Sequence, residues 1–234
     1  MEQFISTYFD WDHLTASFPA VWRGFRVNLM LMVLAEVFVL AWGLVLALAR
    51  GITTPVLRPV RWAAIAYIDF FRGMPALLTI YMVVFGIPIA GVPWIGDWTV
   101  FQLAVLALTL VYGAYVAEVY RAGIESVHRS QVSAARSLGL SHASTMRHVV
   151  LPQAVRRVIP PLLNDFIGLQ KDTAFVGVVG VLDGFRRAQI YSGTFFNLSS
   201  MTGLALLFVV LTIPMTRFTD YLLERDQQRM RAAA

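Results

Sequence analysis

The run from Leu29 to Ala49 carries a single charge, Glu36, and is otherwise apolar. About 20 such residues in a helix cross the hydrocarbon core of a bilayer. Inside hydrocarbon a lone segment satisfies its backbone N–H and C=O groups only by coiling on itself, so this run demands a helix and a membrane. The rest of the chain agrees. Of 234 residues, 58% are hydrophobic and 14% charged, where a soluble domain carries about 25% charged residues.

Four further segments are long and apolar enough to be spans. Trp62–Phe85 is interrupted by "FRGMP" at Phe71–Pro75, where Gly and Pro kink or split a helix. Thr99–Val119 carries Glu118 at its end, Ile159–Val181 has a polar middle, and Leu198–Met215 is short but uncharged. The sequence therefore predicts an all-α integral membrane protein, one membrane domain over residues 1–234, with about five transmembrane helices at 29–49, 62–85, 99–119, 159–181 and 198–215.

Arginine sets the orientation. Thirteen arginines fall on one side, from Arg50 in the first loop to Arg231 in the tail, and four on the other: Arg23, Arg26, Arg186 and Arg187. The richer side is expected to be cytoplasmic, with the N-terminus outside and the C-terminus inside. The N-terminal stretch "MEQFISTYFDWDHLTASF" has neither a basic start nor an apolar run, so no cleaved signal peptide is expected and the first span directs insertion. There is no cysteine, and the four histidines show no metal-ligand spacing. No metal site is expected.

The long cytoplasmic loop, Tyr120 to Val158, contains "SAARSLGLSHASTMRHVVLP". Ser130 is suited to cap a helix through Leu138, Gly139 to end it in the left-handed conformation, and Ser141 to cap a second helix toward Val150. Ala135, Leu138, Met146, Val149 and Val150 form an apolar stripe expected to pack against something. A helix, a glycine turn and a helix suit a nucleic-acid reader or a protein-docking element alike. A reader needs a third helix and basic side chains free to enter a groove, whereas this loop is tied at both ends to spans. No nucleic-acid partner is expected.

The loop, from about residue 130 to 152, resembles the cytoplasmic coupling motif of importer permeases in the ATP-binding cassette superfamily. Ala134, Ala135, Gly139, Val149, Leu151 and Pro152 match in register, and Ser133 stands where that family usually has glutamate. The flanking segments "YIDFFRGMPALLTIYMVVFGIP", "YGAYVAEVYRAGIESV" and "LPQAVRRVIPPLLNDFIGLQKDTAF" resemble the polar amino acid branch in order and spacing. The likeness runs from about Gly24 to Leu223. It implies a permease subunit in a bacterial plasma (inner) membrane, paired with a second permease, identical or related. It also implies an external substrate-binding protein, and a cytosolic ATP-binding cassette subunit against which Ser133 to Pro152 would dock. The cargo implied is a polar amino acid of the glutamate, glutamine or basic class.

The chain has no Gly-x-x-x-x-Gly-Lys-Ser/Thr phosphate loop, and its one lysine, Lys171, lies within a predicted span. It is expected to bind no cofactor and catalyse no reaction, with ATP and magnesium used by the partner. A charge at the bilayer centre costs about 2.5–3.5 kcal/mol on insertion scales, so intramembrane charges mark interior or watery faces. In the fourth span Asn164, Gly168 and Lys171 recur at helical spacing beside Asp165 and Asp172. Gln170, Lys171, Asp172 and Thr173 are candidates to line or gate the solute path; the alternative is that Lys171 and Asp172 neutralise neighbours at a subunit interface. Glu118 and Arg121 sit three apart and can pair. Arg72, beside the Gly73/Pro75 break, suits a solute carboxylate, a structural pair or a headgroup anchor. Glu36 is a candidate for a path or partner contact. Glu36, Glu118 and Asp172 would also serve as a relay in a self-contained ion-coupled carrier or channel, the competing reading.

Overall fold

The computed structural model describes residues 1–232, and among them there is helix, turn and loop but no strand. A short helix α1 (Glu2–Tyr8) precedes α2 (Trp11–Arg50), which Asp10 caps by accepting from the His13 N–H at 3.1 Å. At 40 residues, α2 is about 60 Å long, roughly twice the thickness of the hydrocarbon core. The helix therefore begins well before the apolar run at Leu29. The predicted second span is two pieces. Helix α3 (Arg58–Gly73) ends at Met74, and α4 (Ala76–Tyr81) resumes after Pro75, continuing through a π turn (Met82–Gly86) into α5 (Ile87–Ile89). The two pieces are bent by 108°. Pro75 has no N–H to give the preceding turn and pushes Met74 to extended backbone.

Helix α6 (Val100–Glu125) begins with a capping box between Thr99 and Gln102. Two short helices follow, α7 (Arg129–Ser137) and α8 (His142–Thr145), then a π turn (Met146–Val150) that runs directly into α9 (Leu151–Asp172). A 3₁₀ turn (Thr173–Gly177), α10 (Gly184–Phe195) and α11 (Ser199–Ala232) complete the chain. The fourth predicted span is thus shifted: the helix starts at Leu151 and stops at Asp172, where a span to residue 181 was expected. Among the described residues three helices, α2, α6 and α11, are long and apolar enough to cross a membrane, and the bent pair would make a fourth if it forms one span. Helix α9 is amphipathic and does not meet that criterion.

Residue pairs fix the directions. Gly43 meets Gly113 and Val116, and Arg50 meets Glu118, so α2 and α6 run parallel. Gly123 meets Val158 while Tyr112 meets Asp172, so α9 runs antiparallel to α6. Leu14 lies against Gly203 and Phe25 packs on Phe208, so α11 runs parallel to α2 and hence antiparallel to α9, which it meets through Thr212 and Gln170. The main core lies between α2 and α6, where Leu31, Ala35 and Val39 meet Ala104, Ala107 and Leu108, all fully enclosed. Small residues on both faces let the two backbones approach closely, which is how helices associate where lipid offers no hydrophobic drive. This pair is the frame on which the charged groups sit.

Candidate functional site

The α7–α8 hairpin is held by local hydrogen bonds alone at its tip. His128, rather than Ser130, caps α7: its Nδ1 accepts from the Ser130 N–H at 3.2 Å and lies 2.7 Å from the Ser130 hydroxyl. At the other end Gly139 has φ +82, the Leu140 N–H donates to Ala135 O at 3.2 Å, and the Gly139 N–H donates to Arg136 O at 3.0 Å. That pairing is the Schellman arrangement, which a left-handed glycine closes. Ser141 then caps α8 by accepting from the Ser144 N–H at 3.2 Å. Ala135 and Val150 are buried and Met146 and Val149 half-buried, but Leu138 departs from the expected stripe and is 81% exposed beside the turn. Ser133, Ala134, Leu151 and Pro152 are exposed as well.

The base of the hairpin is continuous with the bundle. Gln153 Nε2 donates to Gln131 Oε1 at 2.7 Å and to Val149 O at 2.8 Å, and Arg157 donates to Ser126 O. Pro152, in the first turn of α9, brings no N–H, and its ring crowds the carbonyl four residues earlier. The π turn Met146–Val150 supplies the extra room at that point. Pro88 stands in the same relation to the π turn Met82–Gly86.

At the arginine-rich end of the bundle Glu118 is a hub. It pairs with Arg50 from the end of α2, with Arg121 one turn along α6 at 2.8 Å, and with Arg72 from the end of α3 at 3.9 Å; Arg121 also meets Glu125 at 2.5 Å. Arg72 is held further by the Tyr115 ring, 5.9 Å from its guanidinium carbon, and its carbonyl accepts from the Tyr115 hydroxyl at 3.5 Å. The structure therefore joins two candidates, Arg72 and Glu118, and adds Arg50, which sequence reasoning had counted only as a loop charge.

Deeper in the bundle Glu36 on α2 is half-buried and makes no ion pair or hydrogen bond among the described residues; Asp165 of α9 is within electrostatic reach of it, and Arg72 is within reach of Asp165. One carboxylate oxygen of Asp165 is enclosed without a partner. Along α9, Asp172 accepts from the Tyr112 hydroxyl at 2.8 Å, while Lys171 and Asn164 are exposed. Gln170 and Thr173 are enclosed in a network. Gln170 Oε1 accepts from Thr212 at 3.0 Å, and the Thr173 hydroxyl donates to Gln170 O at 2.6 Å. Asn28 donates to Thr173 O at 3.0 Å and to Asp183 Oδ2 at 2.9 Å, and accepts from the Gly184 N–H at 2.9 Å. Burial pushes the Asp183 carboxyl up, against the Arg186 N–H and Asn28 donors that favour its charged form. Here α2 approaches the α10 turn so closely that a Cβ on Gly24 would overlap the backbone of Asp183 and Gly184. Nothing local in the sequence announces Asn28 or Asp183; only the polarity of Asn28 just ahead of an apolar run hints that it has work to do.

Known proteins resemble this chain in sequence and in fold. Residues 40–231 match the family described as binding-protein-dependent transport system inner membrane component. The probable glutamine ABC transporter permease protein GlnM of Bacillus subtilis is 40% identical over 82% of this chain and 88% of its own length. The glutamate/aspartate import permease protein GltK of Escherichia coli O6:H1 is 37% identical over 77% of this chain and 81% of its own. A crystal structure of an amino acid ABC transporter with histidines superposes with a TM-score of 0.82 at 32% identity, covering 90% of this chain and 96% of that one. The MetNI methionine ABC transporter, at 20% identity and a TM-score of 0.71, shares the fold. With the family match running from within α2 to the end of α11 and relatives aligned over most of their own length, this chain belongs to the ABC transporter permeases, the binding-protein-dependent transport system inner membrane components.

Proposed function

We propose that the chain is the membrane-crossing half of an ATP-driven importer of polar amino acids, of the glutamate, glutamine or basic class. A separate cytosolic subunit hydrolyses magnesium-bound ATP, a second permease completes the pathway, and an external binding protein delivers the solute. The arginine-rich end faces the cytosol of a bacterium, with the N-terminus outside. The observation that carries the reading is the α7–α8 hairpin, which leaves Leu138, Ser133 and Ala134 exposed and passes without a break into α9, the helix that bears Asp165, Lys171 and Asp172. A push on the hairpin is then a push on the charged helix, as a rigid element transmits it. Glu36 and Asp165 suit the amino group of the cargo and exposed Lys171 its carboxylate. The relatives named above, permeases for glutamine and for glutamate and aspartate by their names, support this class of cargo.

A self-contained carrier finds less support. Glu118 is matched against three arginines and Asp172 against a tyrosine hydroxyl, so neither is a free proton site. The test is uptake into liposomes holding the purified complex. Labelled glutamine or glutamate should enter only with ATP on the hairpin side and binding protein on the other. Uptake by this chain alone under a proton or sodium gradient would sink the importer reading.

A further inference from the structure

Beyond the solute path, the structure holds a cationic cavity. It measures about 390 Å³ and lies where the end of α2, the start of α3 and the last turns of α6 meet, lined by Arg50, Arg61 and Arg121 with Thr53, Ile124 and Glu125. Its charges do not cancel. Glu118 takes Arg50 and Arg121, Glu125 takes Arg121 again, and Arg61 pairs with no carboxylate among the described residues. Guanidinium groups on three separate elements converge on one space, the pattern that suits the oxygens of a phosphate.

What borders the cavity chooses the kind of phosphate. The segment that carries Arg61 also exposes large apolar side chains: Val56 is 84% and Trp62 64% exposed, with Leu57 and Val60 close to half. Helix α3 is amphipathic, and an apolar flank beside a cationic cup matches an acyl chain beside a headgroup, where a soluble phosphate would meet polar surroundings. We infer that this cavity holds the phosphate headgroup of an anionic phospholipid, with Arg61 as its principal contact and Val56, Val60 and Trp62 along the chains. The bound lipid would fill the angle between α3 and the α2–α6 pair, and so steady the junction at which Glu118 gathers its arginines.

Native mass spectrometry of the full chain, released from detergent with the subunits that accompany it, tests this. Phosphatidylglycerol and phosphatidylcholine of the same acyl length are the probes. Phosphatidylglycerol adducts should outlast phosphatidylcholine adducts, R61Q should lower their occupancy about fivefold, the effect of one arginine at a membrane surface, and R58Q, on the same helix outside the cavity, should leave it unchanged. Melting temperatures within error of the parent would show both variants folded, as expected for exposed side chains. Equal retention of the two lipids, an R58Q loss as large as the R61Q loss, or displacement of the lipid by an equal concentration of inorganic phosphate would each overturn the assignment.

Discussion

Glu118 takes charge from three directions, and what it contributes follows from its surroundings. Its side chain is 16% exposed and its partners Arg50 and Arg121 are 24% and 34% exposed, so the cluster is shielded without being dry. Replacing Glu118 with Gln keeps the shape but leaves three guanidinium groups converging with Glu125, on Arg121, as their remaining counter-charge. Unfolding in detergent should show a loss of about 1–3 kcal/mol, between the worth of an exposed pair and the cost of stranding buried charge. Arg50→Gln should cost less, because Arg121 still answers Glu118. No loss in either variant would mean that water already serves these groups. Lys171 poses the opposite case: it is exposed and makes no ion pair among the described residues. Lys171→Met should leave stability within about 0.5 kcal/mol of the parent, as surface changes do, while weakening uptake of glutamine, glutamate and arginine alike. Selective loss of one cargo would show that Lys171 reads the side chain instead.

Among the elements, the hairpin offers the sharpest prediction. Open space surrounds the position where a Cβ would sit on Gly139, so a larger side chain there meets no clash and suffers only from its backbone, at φ +82. Gly139→Val should therefore cost the hairpin about 1–2 kcal/mol of local stability, the penalty of a left-handed L-residue, with Asn far better tolerated. The protein should remain in the membrane, and ATP hydrolysis measured beside uptake should continue with little transport. Normal coupling would remove the turn from the mechanism. The same hairpin shows how far local chemistry can be read. Gly139 and Ser141 were legible because each is the residue its position requires. His128 was not, since histidine is an uncommon cap and Ser130 stood nearby as a better candidate. Helices α2 and α6 were legible from apolar length alone, but α9 was misplaced because half its surface is polar and carries no such signal. The bend in the second span was visible as "FRGMP", although its size depends on what α3 and α4 each pack against. The Asn28–Asp183 bond joins residues 155 apart in the chain, and no pattern along the sequence announces a pair of that kind.

At the scale of the molecule the passes alternate: α2, α6 and α11 run one way, and α9 returns between α6 and α11. The Asn28, Thr173 and Asp183 network clamps one end of this stack, and the Glu118 cluster clamps the other. Between the clamps lie Glu36 and Asp165, both half-buried and neither in an ion pair among the described residues. A bundle tied at both ends around the packed α2–α6 core suits a body that rocks as a unit. The π turn below α9 bears on that rocking in a way that contacts alone do not express. Each residue added to a helix turns everything beyond it by about 100° around the axis, so the wide turn at Met146–Val150 acts as a phase setting between hairpin and helix. The direction in which exposed Leu138 points, relative to that in which Asp165 faces the bundle, depends on the residue count of this turn. Such a joint tolerates exchanged side chains but not a changed length: a residue added or lost at Met146–Val150 would swing the hairpin around the axis of α9.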